Sequence, residues 1–333
     1  MKNKLVIKKM SMKSLLSSFA GKNLPPSIWN SKVLYLPAQL AAAHKDFLTD
    51  KGWLNAYQPG QGGGTGGRLT QEAQEHVINR FLNSAARMQF VCSDPRDEEP
   101  EVRDMVLDQL GDGHIYLLDL AAGNGAGTLA MLSLLCELRA QKSVPKLPLN
   151  VSIVGVDFSA DALNFYAELL GKIPPWFETN GINITLNLVV CDLTVSGDFS
   201  EELESFFDDA KKQDVKRFLC VISALSGAGK EGFEEMHDSL KIVAARLSST
   251  KRNSSWLWVE PPVKKFWITM FADTVRLTLK KVRHKFFKSN DFYSIKTDVP
   301  LFANPVVRNF DWHDPHNETT TESNVFVMAF KSE

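Results

Sequence analysis

The chain has 333 residues, 44% of them hydrophobic and 23% charged, with a formal net charge of -1. That balance excludes a disordered or collagen-like polymer and a global field driving the protein onto nucleic acid, and no apolar run reaches the roughly 18 residues of a membrane span. Cys92, Cys136, Cys191 and Cys220 stand far apart, with no CxxC or His-spaced pair, which excludes a disulfide scaffold and a Cys-based zinc site and points to a reducing, cytoplasmic setting.

Residues 1–30 read as a basic N-terminal segment. The first 32 residues hold seven Lys and no acid. Lys8 and Lys9 interrupt the apolar stretch that a secretory signal needs, and the Arg favoured by a mitochondrial presequence is absent. Residues 31–112 read as a helical cap, with Leu36, Leu40, Ala43 and Phe47 at helical spacing. Six of the chain's 20 Gly fall in residues 60–67, a loop flanked by Tyr57 and Arg68 that could cover a site. One helix is expected to begin at Thr70, capped by it, and to run past Val77 and Phe81 to Met88. The acidic stretch 94–112 reads as a solvated connector, with a short helix over 102–110.

From residue 113 to the end the grammar is that of one α/β domain. Apolar runs at 115–120, 151–156, 184–190, 217–223 and 256–259 alternate with helical patterns at 128–141, 161–170, 201–212, 232–247 and 263–285. Alternation of this kind means βαβ units and a parallel sheet. A strand near 292–297 or 306–312, then one at 324–330, closes the chain. The gap between 312 and 324 leaves no room for a crossover helix, so this last pair should be an antiparallel hairpin.

The informative segment is Leu117 to Thr128, a strand that enters a Gly-rich turn and then opens a helix. Gly123 and Gly125 let the backbone turn sharply and approach a ligand, and helix-start amides can hold a carboxylate. The spacing is GxGxG, without the third Gly of a dinucleotide fingerprint, and Asp119 precedes it inside the strand. A carboxylate there repels a pyrophosphate and suits a cationic, zwitterionic nucleoside. Asp157 and Asp192 end the next two strands, so three acids share the ligand-binding edge of an open α/β sheet.

These residues resemble the Rossmann-like (class I) S-adenosylmethionine-dependent methyltransferases, over roughly residues 114–330 and most specifically in 119–128 and 155–159. The resemblance implies a doubly wound, seven-stranded, mostly parallel sheet with an antiparallel last strand, below the N-terminal helical cap. It implies S-adenosylmethionine as cofactor, with Ala121, Gly123, Gly125 and Gly127 forming the turn beneath its methionine part and Asp119 near the ammonium. Asp157 would bind the ribose, Phe158 would flank the adenine, Asp192 and Leu193 would meet its amino group and ring edge, and Ser223 would face the sulfur. The Asn/Asp-Pro-Pro-aromatic signature of base N-methylation is absent after the fourth strand, where Ser223-Ala224-Leu225 stands, and Glu260-Pro261-Pro262 follows the fifth strand instead. A 5-methylcytosine Cys pair is not recognisable either.

The expected activity is methyl transfer to O or N of a small or medium-sized molecule. Two other readings stay open: an RNA or DNA methyltransferase using the basic stretches 1–32 and 264–288, and a cofactor-binding module without turnover. Tyr57, His313 and His316 are the candidate catalytic residues. Asp311 to His316 gathers two His and two Asp; a polar surface turn is preferred there to a metal site, and no metal is expected. The Ser226–Lys230 sequence lacks the Gly and Ser/Thr positions of a phosphate loop.

Overall fold

Alternation along one strand explains how the sheet is clothed. In β3 (Gly113–Leu120), Ile115 and Leu117 enter one apolar core, while Tyr116, Leu118 and Leu120 enter another. Successive side chains point to opposite faces of a strand, so burial on both faces requires a layer of helices on each side. The computed structural model describes residues 24–60, 69–215, 217–223, 225, 229–249, 253–261 and 306–332.

The sheet has nine strands in the order β1-β2-β8-β9-β7-β6-β3-β4-β5. β3, β4 (Leu149–Asp157), β5 (Ile182–Val190), β6 (Arg217–Ser223) and β7 (Asn253–Glu260) are mutually parallel. β9 (Thr319–Ser332) runs against both of its neighbours, β7 and β8 (Val306–Asp314). The antiparallel hairpin and last strand are therefore present, and the seven-stranded expectation is corrected to nine. The additions are β1 (Trp29–Asn30) and β2 (Val33–Tyr35), which pair with each other and, through β2, with β8. Ser31 and Lys32 join them at φ 52 and 68, the left-handed pair that a two-residue hairpin requires. The helical reading of residues 31–35 fails for that reason. The expected elements at 263–285 and 292–297 lie outside the described residues, as do 1–23 and 61–68.

One face carries α1 (Ala38–Asp50), α2 (Thr70–Asn79), α3 (Phe81–Ser93), α4 (Pro100–Gln109), α5 (Ala126–Ala140), α6 (Ala160–Leu170) and α7 (Pro174–Thr179); their buried residues form one core with β3, β4 and β6. The other face carries α8 (Ser196–Lys212) and α9 (Gly229–Ser249). An open groove of about 190 Å³ remains between α8 and strands β4 and β5, lined in part by Ser152, Thr185, Asn187, Glu202 and Asp209. None of the described helices is long and apolar enough to cross a membrane.

The single helix expected from Thr70 to Met88 is two helices broken at Arg80. The Asn79 carbonyl accepts from Gly60 N–H at 3.0 Å and its side-chain oxygen from Gln58 N–H at 2.7 Å, so the preceding loop captures the groups at the break. Thr70 does not cap the helix; Leu69 is the N-cap, and the Thr70 hydroxyl donates to Asp161 at 2.6 Å. The acidic connector is not simply solvated. Arg103 is 4% exposed and holds Asp97 at 2.8 Å and Asp104 at 2.9 Å, with Asp94 itself buried.

The cap is tied to the β8–β9 hairpin by a column of polar contacts. His44 Nε2–H donates to Val77 O at 2.9 Å, so its Nδ1 accepts from His316 Nε2–H, also at 2.9 Å. Tyr57 donates to Asp314 at 3.0 Å, Ser323 to Asn83 at 2.8 Å, and Arg87 Nε to Asn324 O at 2.9 Å. Burial holds His44 neutral, its pKa lowered to about 3. Phe81 is fully buried and stacks on His44 at 4.8 Å, at the head of this column. Phe81→Ala should therefore lower unfolding free energy by about 3–5 kcal/mol. Urea titration checks this, with Leu69→Ala, at a site 64% exposed, as a control expected within about 0.5 kcal/mol of the parent.

Candidate cofactor-binding site

The strand order fixes where a ligand can sit. The chain moves outward from β3 to β4 and β5, then returns to lay β6 on the other side of β3. In an open α/β sheet the crevice at such a reversal, outside the carboxyl ends of the strands, is the binding place. The turn after β3 and the tip of β6 flank it here.

The turn is built by hydrogen bonds to β4. Ala122 N–H donates to Val156 O at 3.0 Å, and Gly123 N–H donates to Asp157 Oδ2 at 2.9 Å. Asp157 Oδ1 accepts from Ser159 N–H at 2.8 Å, and Cys191 N–H donates to Asp157 O at 2.9 Å. One residue thus ties the β3 turn, the β4 tip and the β5 tip together. Burial, followed by the like charge of Asp192, raises the Asp157 pKa, against the pull of its backbone donors. A carboxylate has roughly four acceptor positions, so capacity remains beyond these bonds.

The three glycines differ in what they are for. A Cβ on Gly125 would stand 2.3 Å from the Tyr166 ring, and one on Gly127 would stand 2.7 Å from Ser223 Cβ. Those two make room for protein. Gly123, at φ +54, has nothing within 4 Å of where its Cβ would be, so the turn offers an open cradle there. Ala121 sits at φ 50, a left-handed conformation that costs an L-residue about 1–2 kcal/mol. Strain of this kind collects where a turn's shape serves a purpose.

Asp119 shares the parity of Leu117 and points into the helical layer. It is 2% exposed, and Thr128 of α5 donates to its Oδ2 at 2.7 Å. Tyr166 lies against the same carboxyl, and burial raises the Asp119 pKa to about 7. Its carboxyl braces the start of α5 from below, beneath the open face of the turn.

Phe158 is 40% exposed just past the β4 tip, and Val190 is 61% exposed at the β5 tip. Asp192 is exposed and accepts from Thr194 N–H at 2.9 Å and its hydroxyl at 2.8 Å, while Leu193 is buried. Val195, 46% exposed, precedes α8, and Leu69 caps α2 beside the Thr70–Asp161 bond. The exposed large apolar side chains among the described residues therefore gather along this one edge.

The candidate catalytic residues are held by contacts within the protein. Tyr57 and His316 belong to the cap–hairpin column, and His313 packs on Tyr35 at 5.2 Å. The turn expected at the surface there instead buries Asp314 completely, with its Oδ1 accepting from His316 N–H at 2.9 Å. No group of three or more His, Cys, Asp or Glu among the described residues is arranged to hold a metal ion. Glu260, named from the sequence only as part of Glu260-Pro261-Pro262, is fully buried at the β7 tip; as an acid ending a parallel strand, it repeats the signal that marked Asp157 and Asp192.

No family model matches the chain, and no curated protein is similar to it. Among solved structures it is similar to a precorrin-6y C5,15-methyltransferase from Geobacter metallireducens, at 12% identity over 71% of this chain and 90% of that one, with a TM-score of 0.32. It is also similar to the carbon methyltransferase DszA, at 12% identity over 88% and 65% of the two chains, TM-score 0.31. A third is described as an S-adenosyl-L-methionine-dependent methyltransferase from Methanococcus maripaludis, at 10% identity over 83% and 96%, TM-score 0.31.

The raised Asp119 pKa has a definite consequence for stability. Between the unfolded carboxyl's range near 4 and the folded value of about 7, the native state binds the extra proton, so stability falls as pH rises through that window. Asp119→Asn removes the titration. Its stability relative to the parent should climb from pH 4.5 to 7.5 and level off above, as read by urea unfolding at each pH.

Proposed function

We propose that this chain is an S-adenosylmethionine-dependent methyltransferase acting on O or N of a small or medium-sized molecule. The observation that carries the reading is Gly123: an open, left-handed turn held by a strand-tip carboxylate at the reversal point of the sheet. An adenosine part fits the exposed apolar surfaces of Phe158 and Val190, with Asp157 offering acceptors to ribose hydroxyls and Asp192 to the adenine amino group. Leu193 backbone would meet the adenine ring edge. Residues 121–125 would cradle the amino-acid end, its carboxylate on the first amides of α5. Asp119 contributes by bracing that helix start.

The cofactor brings a methyl group already activated on a sulfonium. What remains for the protein is to hold an acceptor in line with it at about 3–3.5 Å and to exclude water. The apolar edge and the Phe-rich composition, with 21 Phe and 7 Trp, favour a partly apolar acceptor. Of the basic stretches behind the nucleic-acid alternative, residues 1–23 and 264–288 lie outside the described residues.

Incubation with methyl-labelled cofactor and cell extract tests the reading. Label in a low-mass fraction is the expected result; label in RNA or DNA favours the nucleic-acid alternative, and binding without transfer to any fraction favours the non-catalytic module. Asp157→Ala should weaken S-adenosylhomocysteine binding by about 1.5–3 kcal/mol, the scale of hydrogen bonds to a charged group. Calorimetry measures it, and unchanged affinity would remove Asp157 from the nucleoside site.

A further inference from the structure

Glu260 ends β7 with no exposed surface, yet it is a carboxylate. Two donors converge on its Oε1: the backbone N–H of Leu225 at 2.5 Å and the indole N–H of Trp258 at 2.6 Å. Trp258 is its same-face neighbour on β7, whereas Leu225 belongs to the tip beyond β6, two residues past Ser223. Ser223 in turn packs against Gly127 at the start of α5. From the cap, Arg87 comes near enough that attraction to Glu260 offsets part of the lowering that burial imposes on the Arg87 pKa. A buried charge costs several kcal/mol that an apolar residue would not. What Glu260 provides that an apolar residue could not is a fixed acceptor for the backbone at 225.

Resting on the methyltransferase reading above, we propose that Glu260 is a positioning residue: its Oε1 pins residue 225 to the β7 tip and so sets the β6 tip against the cofactor turn. Ser223 stands beside the turn, against Gly127, while Leu225 is buried in the core on the α8–α9 side. If the tip swings away, the wall at Ser223 is lost while the nucleoside contacts on β4 and β5 stay. The role depends on where the oxygen lies, and the charge is secondary to it.

Two substitutions separate reach from charge. Glu260→Gln keeps an acceptor oxygen at the same reach and removes the charge; Glu260→Asp keeps the charge and withdraws it by one methylene. Calorimetry with S-adenosylhomocysteine should find Glu260→Gln within about threefold of the parent and Glu260→Asp weaker by about tenfold or more. The reverse order would assign Glu260 to charge balance with Arg87 and overturn the inference, as would equal affinities in both variants. A parent protein that binds no S-adenosylhomocysteine overturns the methyltransferase reading itself, and this inference with it. Should Glu260→Asp fail to fold, exchange of the Leu225 amide in the unmutated protein decides: slower exchange on adding S-adenosylhomocysteine supports the clamp, and an unchanged rate overturns it.

Discussion

The carboxylate of Asp157 is the constraint on which the site's shape depends. It closes a bond to Gly123 across two strands, and its own backbone oxygen holds the start of the segment after β5. Without it the turn after β3 would keep only the Ala122–Val156 bond as its tie to β4. The left-handed conformations at 121, 123 and 125 would then have little to over-determine them. The proposed function assigns the nucleoside to this same group, which would put preorganisation and recognition on a single side chain.

Much of this was legible in the sequence because period and punctuation are local. The five parallel strands and the helices that follow the first four of them match the apolar runs separated by helical patterns, and β6 begins and ends at the residues expected. Other features were not, for physical reasons. β1 and β2 are two and three residues long, too short for any periodicity, and are joined by Ser-Lys in a conformation usually given to Asn or Gly. The break at Arg80 carries neither Pro nor Gly; it comes from a loop that takes the Asn79 acceptors.

The cap and the hairpin show the same limit. His44 and His316 are 272 residues apart, and nothing local in either segment announces their bond. Together with Tyr57 and Asp314 they tie the cap to the hairpin. That anchor holds α2 and α3 over the carboxyl edge of the sheet, where Met88 and Arg87 of α3 reach Gly127 and the surroundings of Glu260. The glycines divide in a parallel way: 125 and 127 are required by Tyr166 and Ser223, and 123 is left open.

A crystal structure with S-adenosylhomocysteine at saturating concentration tests the central claim most directly. The account predicts the amino-acid end over Gly123, ribose hydroxyls within hydrogen-bond distance of Asp157, and the adenine between Phe158 and the β5 tip. A ligand found instead in the groove between α8 and β5, or none bound at all, would contradict it.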